Sequence, residues 1–132
     1  MRKIGSAILL VFLTHFAGAQ SNLLSAEDYK ILRDSCTSVD VLFTTAEGGS
    51  ISIEGRNVKM FSSIVDVLPA KVTAGAFRAA IIMWQRNGRE FLTGNAFLRD
   101  TWGYIIFKKD GVEYVHALTS QGVAFLQQEK DY

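Results

Sequence analysis

The sequence has little cysteine and little proline, and each shortage excludes a class of structure. Cys36 is the single cysteine, so an internal disulfide is excluded and stability must come from a hydrophobic core. Pro69 is the single proline, and the chain has no low-complexity tract, which argues against a disordered linker. The 132 residues are 48% hydrophobic and 20% charged, a composition typical of one globular domain.

The first nineteen residues have the pattern of a secretory signal peptide. A short basic start is followed by a mostly apolar run, Ile4 to Phe16, and by the small residues Ala-Gly-Ala at 17–19. We therefore predict that 1–19 is a cleaved leader and 20–132 a single domain, exported to the periplasm or the extracellular space. The alternative is an uncleaved anchor, but the apolar run is shorter than the about 20 residues of a spanning helix.

Charge also narrows the range of partners. The whole chain carries a net charge of +1, and loss of Arg2 and Lys3 with the leader would bring it to −1. Since no basic stripe is present, the sequence does not favour nucleic acid or an anionic membrane as a partner. No later segment has the length and apolar character that would predict a transmembrane span.

Residues 79–118 predict four consecutive antiparallel strands. Asn-Gly at 87–88 and Asp-Gly at 110–111 each stand between two apolar runs. Both pairs suit two-residue type I′ turns, because both central positions of that turn need φ > 0. The turn length then fixes the register. The predicted cross-strand pairs are Gln85–Glu90, Trp84–Phe91, Met83–Leu92 and Ile82–Thr93 in the first hairpin, and Lys108–Glu113, Phe107–Tyr114, Ile106–Val115 and Ile105–His116 in the second.

Shorter elements are predicted on either side of this meander. Ser25 is placed to cap a helix from about Ala26 to Ser35. Residues 39–54 predict a hairpin, with an Ala-Glu-Gly-Gly turn, at one edge of the main sheet. An apolar stripe over 57–68 predicts a second helix ended by Pro69, although Val65-Asp66-Val67 also suits a strand. Thr119 or Ser120 is placed to cap a short final helix.

Together these elements predict an α+β fold. The meander 79–118 and the N-terminal hairpin 39–54 would form a single antiparallel sheet with two or three helices mainly on one face. Neither hairpin of the meander alternates cleanly between apolar and polar residues, so both faces of the sheet are largely apolar. The second face is then either covered by the chain ends or left as an apolar patch for a partner.

Signs of chemistry are few. Outside the leader, His116 is the only histidine, and one histidine with one cysteine is too few for a structural zinc site. The acidic residues are scattered, with no calcium-loop spacing, so we predict no metal and no cofactor. Catalysis by a cysteine nucleophile with a histidine base could use only Cys36 and His116. No flanking motif supports this pair, so an enzyme is the less favoured alternative.

Aromatic side chains of the sheet are the remaining candidates for binding. They are Trp84, Phe91, Trp102, Tyr104 and Tyr114, with His116 beside them. They would either form a platform for a protein, an apolar ligand or a sugar ring, or fill the core, which is favoured because a sheet of this size needs large side chains under its helices. We predict an exported, non-enzymatic binding or protein-interaction module, with a homodimer through the uncovered face as a third option.

Overall fold

A computed structural model describes residues 22–44 and 48–130, which form three helices and seven strands. In chain order these elements are α1 (Ala26–Asp34), β1 (Ser38–Phe43), β2 (Ser50–Glu54), α2 (Asn57–Ser62), β3 (Val65–Pro69), β4 (Phe77–Arg86), β5 (Arg89–Arg99), β6 (Trp102–Lys109), β7 (Val112–Leu118) and α3 (Ser120–Lys130). The predicted leader at 1–19 lies outside the described residues, and its cleavage stays a prediction.

All seven strands belong to one antiparallel sheet, with the order β2-β1-β4-β5-β6-β7-β3. The central strands β4 to β7 are the predicted meander, and the β1–β2 hairpin adds to its β4 side. At the opposite edge, β3 pairs with β7 through an irregular ladder. The predicted α+β class, with a single sheet and helices mainly on one face, is therefore confirmed.

One face of the sheet packs against the helices, and we call it the inner face. Its largest fully buried side chains, Ile82, Trp84, Ile105 and Phe107, form a single cluster with Leu32 of α1, Val58 of α2 and Leu126 of α3. Burying one such side chain contributes about 1.5–3 kcal/mol relative to leaving it exposed. We call the opposite side of the sheet the outer face.

The first hairpin differs from the predicted register by one residue. Gln85 pairs with Glu90 as predicted, but a β-bulge follows, and Trp84 pairs with Leu92 instead of Phe91. The three predicted pairs beyond Gln85 are therefore wrong. The bulge puts Trp84 and Leu92 side by side on the inner face, so both large apolar side chains enter the core. In the second hairpin, all four predicted pairs are confirmed.

Segment 57–68 is a helix followed by a strand. The predicted single helix is wrong, because α2 ends at Ser62, and the strand alternative is confirmed by β3. Val65 pairs with Leu118 of β7, and this long-range pairing overrides the helical spacing of the apolar residues.

The side-chain caps of α1 and α3 agree with the sequence, whereas Asn57, which also suits a cap, is the first residue of α2, and that helix has no side-chain cap. Ser25 Oγ accepts a hydrogen bond from the Asp28 N–H at 3.1 Å at the start of α1. Thr119 Oγ1 accepts one from the Gly122 N–H at 3.2 Å at the start of α3. These bonds satisfy donors that have no partner inside the first turn of a helix. The final helix continues to Lys130, further than the short helix predicted.

Candidate binding surfaces

Trp84 lies in the core and offers no surface to a ligand. Its side chain is 0% exposed, and its ring makes an edge contact with Phe107 at 5.6 Å between centroids. The indole Nε1–H donates to Ser62 Oγ at 2.9 Å, and the Ser62 hydroxyl donates to the Val58 carbonyl at 2.7 Å. This chain of hydrogen bonds satisfies a buried donor and ties α2 to the sheet.

His116 is also buried, and both of its ring nitrogens have backbone partners. The Leu24 N–H donates to Nε2 at 3.0 Å, and Nδ1 lies 2.8 Å from the Asp66 carbonyl oxygen, so Nδ1 carries the hydrogen. The ring stacks on Tyr29 at 5.6 Å with an interplanar angle of 9°. Burial lowers the pKa of His116, although the nearby Asp66 opposes this shift. The neutral imidazole of β7 thus binds both the segment before α1, through Leu24, and β3, through Asp66.

The structure does not bring Cys36 and His116 together. Leu24, which contacts His116, precedes α1, and Cys36 follows it; this helix of nine residues is about 14 Å long. Cys36 also lies beside β4, since the Thr37 N–H donates to the Gln85 carbonyl at 2.8 Å, whereas His116 lies three strands away on β7. Burial raises the pKa of the Cys36 thiol to about 11, which disfavours the nucleophilic thiolate.

Phe91 and Tyr114 are half-buried and pack against the core cluster from the inner side. Phe91 lies next to two cations, with the Arg86 guanidinium 6.0 Å and Lys109 Nζ 5.8 Å from the ring centroid. Lys109 Nζ also pairs with an Asp28 carboxylate oxygen at 2.7 Å, which ties this end of the sheet to α1. Beside Phe91, the β4–β5 turn borders an open cleft of about 420 Å³.

Trp102 and Tyr104 lie on the outer face, and the structure brings them together with Phe97. The Tyr104 ring stacks on Phe97 at 5.3 Å and lies 6.0 Å from the Trp102 ring. Tyr104 is only 2% exposed, because the connection around Thr73 covers it and the Thr73 N–H donates to its hydroxyl at 3.3 Å. Trp102 is 40% exposed and is the one tryptophan that a partner can reach.

An apolar row crosses the rest of the outer face. Leu42 of β1, Ile81 of β4 and Ile106 of β6 align in register, with Asn95 of β5 between the last two. Leu42 is 49% exposed, while Ile81 and Ile106 are half-buried. The inner-face cluster that contains the buried helix residues includes none of these side chains. The described helices thus leave this row open.

A second apolar surface lies at the β2 edge of the sheet. A groove of about 420 Å³ runs between β2, α2 and α3, and its apolar lining consists of Ile51, Ile53, Met60, Phe61 and Phe125. Met60 is 75% exposed and Ile51 is 38% exposed. Phe61 and Phe125 meet edge to face at 5.6 Å and form the floor next to the core.

The sequence predicted a second apolar face but not the residues that form either surface. Leu42, Ile81 and Ile106 align only once the register of four strands is known, and the groove combines side chains of β2, α2 and α3 that are far apart in the sequence. The one available signal was the poor alternation of apolar and polar residues in the meander, which predicts two apolar faces.

The described residues contain neither a cluster of metal ligands nor a helix that could span a membrane. In 22–44 and 48–130, no three His, Cys, Asp or Glu side chains group together as the ligands of a metal ion would. None of the helices in these two ranges combines the length and the apolar character needed to cross a bilayer.

Comparisons with protein-family models, with curated proteins and with solved structures give no significant match for this chain. The function is therefore inferred from the sequence and the geometry of this chain.

Proposed function

We propose that the protein is an exported, non-enzymatic protein-interaction module whose binding surface is the outer face of its sheet. The observation that carries the proposal is the row of Leu42, Ile81 and Ile106, three apolar side chains aligned across the strands on the face that the described helices leave open. Apolar side chains gathered on one open face commonly mark an interaction site in monomeric proteins, and only Asn95 interrupts this row.

The surroundings of the row favour a protein over a small apolar ligand. The row lies on a flat face, whereas small-molecule sites are usually concave and enclose most of the ligand. Polar side chains border it, with Asp40 and Thr93 flanking Met83 in the next register row. An apolar centre with a polar rim is the usual composition of a protein–protein interface.

Trp102 is a separate exposed apolar side chain on the outer face, and the covered Tyr104 lies between it and the row. Its exposed ring packs against Tyr104, which the Thr73 contacts hold in place, so little side-chain freedom is lost when a partner covers it. Export is supported by the composition of the leader, and a non-catalytic role is supported by the separation of Cys36 from His116.

Photo-crosslinking in the exporting cell tests the proposal. A photoreactive amino acid replaces Leu42, which is 49% exposed on the outer face, and in a control variant it replaces Val67, which is 57% exposed on β3. We expect a discrete adduct, with a mass other than twice that of the chain, from position 42 and none from position 67. Equal adducts from both positions, or none from either, would contradict the proposal.

A further inference from the structure

The backbone of β2 has hydrogen-bonding groups that face away from the sheet. The Phe43 N–H donates to the Gly49 carbonyl at 2.9 Å, and residues 51 and 53 continue the series of directly bonded pairs with β1. In an antiparallel ladder such pairs alternate with pairs whose N–H and C=O groups point outward. The N–H and C=O groups of Ser50, Ser52 and Glu54 therefore face the open side of β2, where the sheet ends.

This edge lacks three of the features that usually prevent strand pairing, namely proline, lysine and a bulge. At the opposite edge, β3 carries Pro69 and its ladder with β7 is irregular. Strand β2, with the sequence Ser-Ile-Ser-Ile-Glu, contains no proline and no lysine, and its ladder with β1 has no register shift. Exposed strands without these features pair readily with another strand.

We propose that β2 pairs antiparallel with β2 of a second copy, so that two chains form one continuous sheet. In the register centred on Ser52, Ser52 faces Ser52 of the second copy and Ser50 faces Glu54. All of these residues have outward backbone groups, so the three pairs would form about six hydrogen bonds. No like charges are opposed, because each Glu54 faces a serine.

In the same register, the grooves of the two chains meet at the interface. Ile51 of one copy lies opposite Ile53 of the other on the inner face, where each chain has the groove lined by Met60, Phe61 and Phe125. Helix α2 follows the carboxyl end of β2, so antiparallel pairing places the two α2 helices at opposite ends of the interface. The exposed Met60 side chain of each copy is then available to cover the isoleucines of the other.

A two-fold axis perpendicular to the sheet relates the two copies, and it leaves both outer faces on the same side. The dimer would thus present two copies of the row formed by Leu42, Ile81 and Ile106. This inference does not depend on the proposed function of that row, since its test is the oligomeric state.

Light scattering after size exclusion, at concentrations up to about 200 µM, measures the dimer of the purified protein. Ser52→Pro removes both central hydrogen bonds at a position where β1 does not use the N–H, and it should raise the dissociation constant about tenfold or more. Ser52→Ala, which keeps the N–H, is the matched control. Ile51→Lys should also break the dimer, while Leu68→Lys on exposed β3 should not.

Amide hydrogen exchange supplies a second readout. In a dimer the Ser52 N–H becomes protected as concentration rises, whereas the Ile53 N–H, bonded to β1, is protected at every concentration. If Ser52→Pro does not fold, the oligomeric state of Met60→Glu is measured instead, since Met60 is 75% exposed. A wild-type monomer at all concentrations overturns the proposal. A dimer that survives Ile51→Lys and Met60→Glu, or Ser52 protection that requires a different protein, also overturns it.

Discussion

Acidification to pH 5.5 should destabilise the fold through one residue, His116. Protonating the native ring would require it to give up the hydrogen bond that Nε2 accepts from the Leu24 N–H, inside a site that is 2% exposed. Burial therefore lowers the pKa of His116 below the value of 6.5 that it has in the unfolded chain. A lowered native pKa means that the unfolded state binds the proton first, so stability is complete above pH 6.5 and falls as the pH drops below it.

The size of the loss follows from this difference. If the native ring stays neutral, the free energy of unfolding falls by up to about 1.3 kcal/mol between pH 7 and pH 5.5. Among the ordinary side-chain pKa values, that of histidine is the one that lies within this window. Of the charged groups beside the ring, the Asp66 carboxylate favours protonation and would reduce the loss.

Urea unfolding at a series of pH values measures this loss. The matched variant is His116→Gln, which lacks the titrating group, and its stability should be constant between pH 7 and pH 5.5, although lower than that of the wild type at pH 7. A wild-type protein with no pH dependence in this window would refute the reasoning. So would a variant that keeps the wild-type slope.

Three further substitutions or reactions test other parts of the structure. Trp84→Ala should cost about 3–5 kcal/mol in urea unfolding, whereas Trp102→Ala, at a 40% exposed position, should cost less than about 1 kcal/mol; equal costs would contradict the burial of Trp84 in the core. Cys36, with its pKa raised to about 11, should react with a thiol reagent at pH 8 only after denaturation, and rapid native labelling would contradict its burial. Gly94→Ala places a Cβ 2.6 Å from Ile105 Cδ1 and should lower stability by about 1–3 kcal/mol in thermal unfolding, while the neighbouring Thr93→Ala should have a smaller effect.

Local sequence signals predicted the turns and the first helix. Asn87 and Asp110 have φ values of 51° and 53°, as type I′ turns require, and Ser25 caps α1. These features depend on residues that are close in the sequence, so they can be derived without knowledge of the rest of the fold.

Features that depend on distant contacts were missed or, like strand β3, predicted only as an alternative. The bulge beside Phe91 arises because Trp84 and Leu92 both enter the core under the helices, and β3 forms because β7 is available to pair with Val65. Neither partner can be identified from local spacing.

The candidate site, too, was predicted only in its local features. The sequence correctly indicated that the aromatic side chains lie on the sheet strands, but it did not assign them to the two faces. Trp84 is buried on the inner face and Tyr104 on the outer face, while Trp102 remains exposed. The apolar row also required knowledge of which strands are neighbours, because Leu42 belongs to β1 and Ile81 to β4.

The most direct test of the outer face as a binding surface is the affinity of a partner identified by the crosslink from position 42. Leu42→Lys should raise the dissociation constant of that complex at least about tenfold, because it places a charge within an apolar interface. The urea midpoint of Leu42→Lys should stay close to that of the wild type. Val67→Lys should change neither quantity, and equal affinities for both variants would contradict the account.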